Sequence, residues 1–287
     1  MILEEPLIPY ETIDTDQKLA AFVRHLKERQ ITTLAMDFEG EFNLHVYGEK
    51  LCLVQIFDGK SFFIIDPFAV SAEPLKEFLE DRRVLKLFFG AGSDVQLVYK
   101  ESKIVLNSVL DLQIFAEVAG CVNKGLSGLT EELFGKVTVK KKQFQMHNWT
   151  RRPIDREAVE YALSDVESLF EMYKVLLEKI LASGKPADLV RALVLKTPSS
   201  FSRGVPGIYK TDEFKALDPG AKERFERLLA IRDQFAREID CPPDQVIAKA
   251  VLFQLAARKL SPDALPRQGR LPTAVHARLI AAVKEPG

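Results

Sequence analysis

The sequence predicts an α/β domain followed by a small bundle of helices. Short apolar runs typical of strands alternate with segments whose apolar residues recur at helical spacing. A stretch rich in Pro, Ser and Gly then precedes three more amphipathic segments. We therefore expect a first domain over residues 1–196, a linker over 197–212 and a helical domain over 213–287. The runs interpreted as strands cover residues 31–38, 51–57, 62–65 and 84–89.

Individual elements follow from spacing and turn residues. Apolar residues at helical intervals predict an amphipathic helix over residues 16–30, before the first strand. Asp58-Gly59 between two apolar runs predicts a tight hairpin, and so an antiparallel arrangement of the first three strands. A continuous apolar stripe predicts one long helix from Asp155 to Ile180.

Composition indicates an ordinary globular protein. Of its 287 residues, 47% are hydrophobic and 28% are charged. No apolar run approaches the roughly 18 residues needed to span a bilayer, and we expect no contact with a membrane. Residues 1–16 lack the features of a secretion signal, and the three cysteines are scattered. We therefore expect a cytoplasmic protein without disulfides.

Two carboxylates stand together at the end of the first apolar run. Side chains alternate along a strand, so Asp37 and Glu39 share one face while Met36 and Phe38 share the other. Like charges at this distance repel each other unless a cation neutralises them. An Asp-x-Glu pair alone is also typical of an acidic strand end that runs into a solvated loop.

Two further segments supply acids that an α/β fold can bring to the same place. Asp94 follows a Gly-rich turn at a helix start, where it could equally be an N-cap. Tyr161 and Asp165 lie four residues apart, and so on one face of the late helix. Four clustered carboxylates suit two hard divalent cations such as Mg²⁺. Such ions can activate a water and stabilise the leaving oxygen of a phosphodiester.

These motifs, in this order, resemble the ribonuclease D branch of the 3′–5′ exonucleases. Asp37-x-Glu39 matches the first family motif, and the strand Leu51 to Ile56 follows it as in the family. Gly90-Ala91-Gly92-Ser93-Asp94 matches the second motif and Tyr161 to Asp165 the third. Residues 213–285 resemble the helical HRDC module of helicases and ribonuclease D. The chain departs from the family pattern at Phe89 and at His147-Asn148.

The resemblance implies a fold, an activity and a set of site residues. The fold would be a ribonuclease H-like mixed five-stranded sheet with flanking helices, followed by an all-α HRDC-like bundle. The activity would be removal of nucleoside 5′-monophosphates from RNA 3′ ends with two ions, Mg²⁺ or Mn²⁺. Tyr161 would position the attacking water, and the metal ligands would be Asp37, Glu39, Asp94 and Asp165.

A basic stretch over residues 136–152 could contact a phosphate backbone. Candidate substrate contacts are Phe38, which could wedge between bases, and Lys142, Trp149, Arg151 and Arg152. A structural interpretation exists for these residues as well. Phe38 shares a face with core residues, and the basic stretch could be a solvated loop whose Trp149 is buried against the late helix.

The helical tail is slightly basic. Residues 215–287 contain 13 Lys and Arg against 9 Asp and Glu, so they carry +4 where the whole chain carries −1. This balance favours a nucleic-acid platform, although a protein-docking bundle has the same helices. We expect a monomer that processes tRNA precursors or other stable RNA. Two alternatives stay open: a 3′–5′ DNA exonuclease in repair, for which single-stranded DNA is a possible partner, and a catalytically silent nucleic-acid-binding scaffold.

Overall fold

A mixed β-sheet lies at the centre of the first part of the chain. The computed structural model describes residues 8–136, 144, 146–196, 206–269 and 271–285. In this part of the chain the sheet has six strands in the order β1-β4-β3-β2-β5-β6. The strands are β1 (Tyr10–Ile13), β2 (Thr33–Phe42), β3 (Glu49–Phe57), β4 (Phe62–Ile65), β5 (Leu85–Phe88) and β6 (Val109–Asp111).

The pairing of the strands is both parallel and antiparallel. β3 and β4 form the predicted antiparallel hairpin, whose turn is closed by Asp58 Oδ1, which accepts from Lys60 N at 2.8 Å and Ser61 N at 2.7 Å. Gly59 in this turn has φ +91°, which favours glycine. β1 pairs parallel with β4, β2 with β5, and β5 with β6. The prediction of a mixed α/β sheet is confirmed.

The sheet has one strand more than the expected five. β1 adds to the outer edge of β4, where three of its four residues stay exposed and only Ile13 is buried. Its sequence, YETI, therefore lacks the apolar character by which the other strands are recognised. Edge strands with one neighbour need little apolar surface, so this element is invisible to hydrophobic patterning.

Eight helices of the described chain flank this sheet. The predicted long helix is instead two helices, because Ser168 ends one and begins the next. The apolar stripe continues across Ser168, so spacing alone predicts no break there. The helices are α1 (Asp16–Glu28), α2 (Ala72–Glu80), α3 (Gly92–Ser102), α4 (Leu112–Val118), α5 (Leu126–Phe134), α6 (Arg156–Glu167), α7 (Leu169–Ala182) and α8 (Pro186–Lys196).

The two faces of β2 contact different layers of helices. Leu34, Met36 and Phe38 lie in a core with residues of α1, α2 and α3. Ala35, on the opposite face, lies in a core with residues of α4 and α7. The predicted alternation along this strand is therefore confirmed, and it places Asp37 on the face that Ala35 shares.

The chain divides into two compact units. The first comprises Met1–Gly40 and Glu49–Phe201, and the second comprises Glu41–Gly48 and Ser202–Gly287. The second unit thus includes the last two residues of β2 and the six residues between β2 and β3, as well as the helical tail. The three-domain division expected from the sequence stays a prediction, and a 3₁₀ helix, Gly207–Lys210, lies within its linker.

The helical part of the second unit contains α9 (Asp212–Lys215), α10 (Pro219–Glu238), α11 (Lys249–Ala256) and α12 (Thr273–Lys284). Its core includes Phe225, Val246 and Leu279, all fully buried. Tyr47 belongs to this unit, and its hydroxyl donates to the Asp233 carboxylate of α10 at 2.9 Å. No helix in the described chain is both long and apolar enough to cross a bilayer.

Candidate metal centre

Three carboxylates from two elements meet beside the central strand. Asp37 and Glu39 of β2 and Asp165 of α6 each offer one oxygen, and these oxygens lie within 4.8 Å of one another. All three residues are partly buried. The alternation along β2 puts the first two on the side covered by α6 and α7, and α6 supplies the third. The structure therefore brings these three predicted ligands together.

Asp94 is the third residue of α3 and is 8% exposed. Ala91 occupies the N-cap position of this helix and Asp94 lies inside the first turn, so the N-cap interpretation is wrong. Its charge acts on Asp37 and Glu39, whose pKa values it raises. Asp94 therefore belongs to the same electrostatic site as the other three carboxylates.

Asp111 fixes the loop that leads into α3. Its two carboxylate oxygens accept from Gly90 N at 2.8 Å and Ala91 N at 3.0 Å. Gly90 has φ +76°, so this turn favours a residue without a side chain. Sequence reasoning did not predict that Asp111 holds the turn before α3. Its sequence signal is the Asp111-Leu112-Gln113 stretch, which follows a short strand and also caps α4.

Burial and neighbouring negative charges raise the pKa values of three of these carboxyls. Burial, then the nearby charges of Asp94, Asp165 and Glu39, raise the pKa of Asp37 well above its usual range. Burial, then Asp165 and Asp94, raise the pKa of Glu39 well above its usual range. Burial raises the pKa of Asp94 to about 7, and the charge of Asp111 adds to the rise. Such a site favours a bound cation.

Tyr161 lies one turn before Asp165 on α6 and is partly buried. Burial raises the pKa of its phenol to about 12, with further contributions from the charges of Asp165, Glu39 and Asp37. The phenol is therefore protonated at neutral pH and available as a hydrogen-bond donor. Its ring lies 5.1 Å from that of Phe144.

Two of the predicted substrate contacts lie in the core. Phe38 is 6% exposed and meets Phe88 edge to face, with ring centroids 5.2 Å apart. Trp149 is 3% exposed and lies in a cluster with Cys52 and Ala162, with its ring 4.7 Å from that of His147. The packing of both rings supports the structural interpretation of these residues.

Arg152 is held by groups of the first unit. Its guanidinium donates to both oxygens of Asp66, at 2.7 and 2.8 Å, and to Cys52 O at 2.6 Å. It also donates to Trp149 O at 2.8 Å. Arg152 therefore fastens the segment before α6 to the sheet. Arg151 is exposed, whereas Lys142 lies outside the described residues.

The donor set matches a hard divalent cation. The clustered side chains offer only carboxylate oxygens, the ligands that Mg²⁺ and Mn²⁺ prefer over sulfur and imidazole. Partial exposure leaves room for water and for a phosphate beside an ion. The residues present thus fit the predicted divalent ions.

Solved structures share this fold along almost the whole chain. The catalytic core of RRP6 from Trypanosoma brucei has a TM-score of 0.77 at 22% identity, and covers 98% of this chain and 80% of its own. Escherichia coli RNase D, described as an exoribonuclease involved in structured RNA processing, has a TM-score of 0.73 at 24% identity. That match covers 96% of this chain and 75% of the other. The fold is therefore that of the DEDD exonucleases.

A family model for 3′–5′ exonucleases matches residues 10–181. The chain belongs to the 3′–5′ exonuclease family. Ribonuclease D of Jannaschia sp. is 27% identical over 256 residues, which is 86% of this chain and 65% of that protein. The chain thus spans slightly less than two thirds of the length of this curated relative. The resemblance to the ribonuclease D branch is confirmed, whereas the HRDC-like character of the tail stays a prediction.

The raised pKa of Asp94 predicts a pH-dependent stability in EDTA. A carboxyl whose pKa is higher in the folded state stabilises the fold below its unfolded pKa, about 4, and this contribution is lost as the pH rises through about 7. Asp94→Asn should therefore lose less stability over this range, and its free energy of unfolding at pH 8 should exceed that of wild type by on the order of 4 kcal/mol.

Urea unfolding in EDTA from pH 4 to pH 8 measures this difference. Asp188→Asn, an exposed position on α8, is the matched control and should follow the wild-type curve. Parallel curves for Asp94→Asn and wild type would contradict the electrostatic strain ascribed to the site.

The bonds of Arg152 predict a stability defect in Arg152→Lys. A lysine cannot reproduce the planar fork that meets Asp66 and two carbonyls, so unfolding free energy should fall by about 1–3 kcal/mol. The KM for an RNA substrate should change by less than about twofold, because the guanidinium is already engaged by groups of the protein. Wild-type stability together with a much higher KM would instead assign Arg152 to the substrate.

Proposed function

We propose that this protein is a divalent-metal-dependent exoribonuclease that removes nucleotides from RNA 3′ ends. The observation that carries the proposal is the cluster of Asp37, Glu39 and Asp165 within a member of the 3′–5′ exonuclease family. Support for RNA as substrate comes from matched relatives that are themselves ribonuclease D.

Four carboxylates hold the ions in this proposal: Asp37, Glu39, Asp94 and Asp165. Two divalent ions, when bound there, supply an activated water and charge stabilisation of the leaving oxygen. The strand and helices fix the backbone from which the four side chains project before an ion arrives. Deprotonation of the raised carboxyls accompanies ion binding, and metal affinity therefore increases with pH.

Tyr161 acts in this proposal as a hydrogen-bond donor. With a pKa of about 12 the phenol keeps its proton at neutral pH, so it is a poor general base. From its place one turn before Asp165, the hydroxyl can orient the attacking water toward the 3′-terminal phosphodiester. Tyr161→Phe should therefore retain ion binding and slow the chemical step.

Exposed basic residues of the second unit supply contacts to the RNA backbone. Several cations of this unit are engaged internally: Arg224 donates to Ala256 O, and Arg227 to Val283 O. Arg258 and Lys259, just after α11, are exposed. These two side chains are the better candidates for phosphate contacts. We further propose tRNA precursors or other stable RNA as the substrate, and a monomer as the active form.

Loss of one central carboxylate should stop hydrolysis while leaving the fold intact. Asp37→Ala should lower kcat by about 10³-fold or more, since removal of metal ligands forfeits several kcal/mol of transition-state stabilisation. Asp165→Asn should behave in the same way. The control is Glu167→Gln, an exposed acid two residues further along α6, which should keep wild-type activity.

A time course on a 5′-labelled single-stranded RNA measures this effect. With Mg²⁺ or Mn²⁺ the wild-type protein should give a ladder that shortens from the 3′ end, and EDTA should abolish it. A matched DNA strand in competition distinguishes a deoxyribonuclease from a ribonuclease. Intact label with retained RNA binding would favour the catalytically silent scaffold.

Neutralising the exposed cations should weaken RNA binding in a salt-dependent way. Each phosphate contact contributes about 0.7 to the slope of log affinity against log salt for single strands, so Arg258→Gln with Lys259→Gln should lower the magnitude of the slope by about 1.4. Lys60→Gln with Lys185→Gln removes the same charge from exposed positions of the first unit and should change nothing. An unchanged slope in the first pair would argue against the second unit as an RNA platform.

A further inference from the structure

Gln55 of β3 is a fully buried polar residue, with 0% of its surface exposed. Its Nε2 and Oε1 have no hydrogen-bond partner in the part of the chain that the structure describes. A buried amide without partners destabilises a fold relative to an apolar side chain of similar size. Such a residue in the centre of a sheet therefore points to a partner that arrives when the protein works.

The side chain of Gln55 lies on the same face of the sheet as the carboxylates. Val54 and Ile56, its neighbours along β3, pack in the core that contains Met36 and Phe38 of β2. Gln55 therefore points to the opposite face, as Asp37 and Glu39 do on the adjacent strand.

The pairing of β3 with β4 places Gln55 beneath α6. Its register partner on β4 is Ile64, which lies in a cluster with Ala158, Ala162 and Leu163 of α6. The same helix carries Tyr161 and Asp165. The amide is thus enclosed between the strand that supplies two carboxylates and the helix that supplies another.

We propose that Gln55 is a positioning residue that donates from Nε2 to a carboxylate of the Asp37 and Glu39 pair when a divalent cation is bound. The inference rests on the proposed function and deepens it. Carboxylates that turn to hold a cation can also present an oxygen to the amide, whose N–H group has no acceptor in the described part of the ion-free chain. Outer hydrogen bonds of this kind orient metal ligands and tighten metal binding.

Gln55→Leu tests the role, because leucine has a similar volume and no polar atom. Titration calorimetry with Mn²⁺ at neutral pH should show an affinity about tenfold below wild type, the lower end of the effect of outer hydrogen bonds at metal sites. In EDTA, the melting temperature should be equal to or above that of wild type, because an unpaired amide has been removed. The control is Ile56→Leu, buried on the opposite face of the same strand.

Wild-type Mn²⁺ affinity in Gln55→Leu would overturn the positioning role and leave the proposed function standing. Absence of Mn²⁺ binding in the wild-type protein would overturn both. Should Gln55→Leu fail to fold, Gln55→Met is measured in the same way, since methionine keeps the length and flexibility of the side chain. Failure of both variants to fold in EDTA would show that the amide supports the ion-free fold, and would also overturn the inference.

Discussion

Repulsion between carboxylates that the fold holds together is the interaction on which the site depends. Asp37 and Glu39 cannot move apart, because the alternation of β2 fixes both on one face. Asp165 and Asp94 approach from helices packed on the same sheet. Burial is the largest cause of the raised pKa values of Asp37, Glu39 and Asp94, and neighbouring negative charges add to it. A divalent cation bound among the carboxylates would offset their mutual repulsion, so the ion-free site favours metal binding.

The segments that carry these acids are fixed by polar contacts outside the cluster. Asp111 binds the backbone of Gly90 and Ala91, and so sets the start of α3. Arg152 joins Asp66 and the backbone of Cys52 to the segment before α6. Both side chains bind backbone groups, and so they set the positions of the segments from which the clustered carboxylates project.

Local pattern was sufficient to predict the elements that place the site. Alternation gave the shared face of Asp37 and Glu39, and Asp58-Gly59 gave the hairpin of β3 and β4. Tertiary contacts decided what pattern could not. The edge strand β1 forms because it pairs with the outer edge of β4. The burial of Phe38 and Trp149 depends on packing partners that are distant in sequence. The membership of residues 41–48 in the second unit has the same cause, since Tyr47 bonds to a helix nearly 190 residues further along.

Tyr161 illustrates how the state of the site determines a residue's chemistry. Helical spacing places the phenol beside Asp165, but the same spacing would serve a base or a donor. In the ion-free site, burial and three negative charges hold the proton on the phenol, with a pKa of about 12. Cations bound by those carboxylates would offset their charge and lower this pKa, while burial would continue to raise it. Burial therefore favours retention of the proton on Tyr161, which supports the proposed role of the hydroxyl in orienting water over one in deprotonating it.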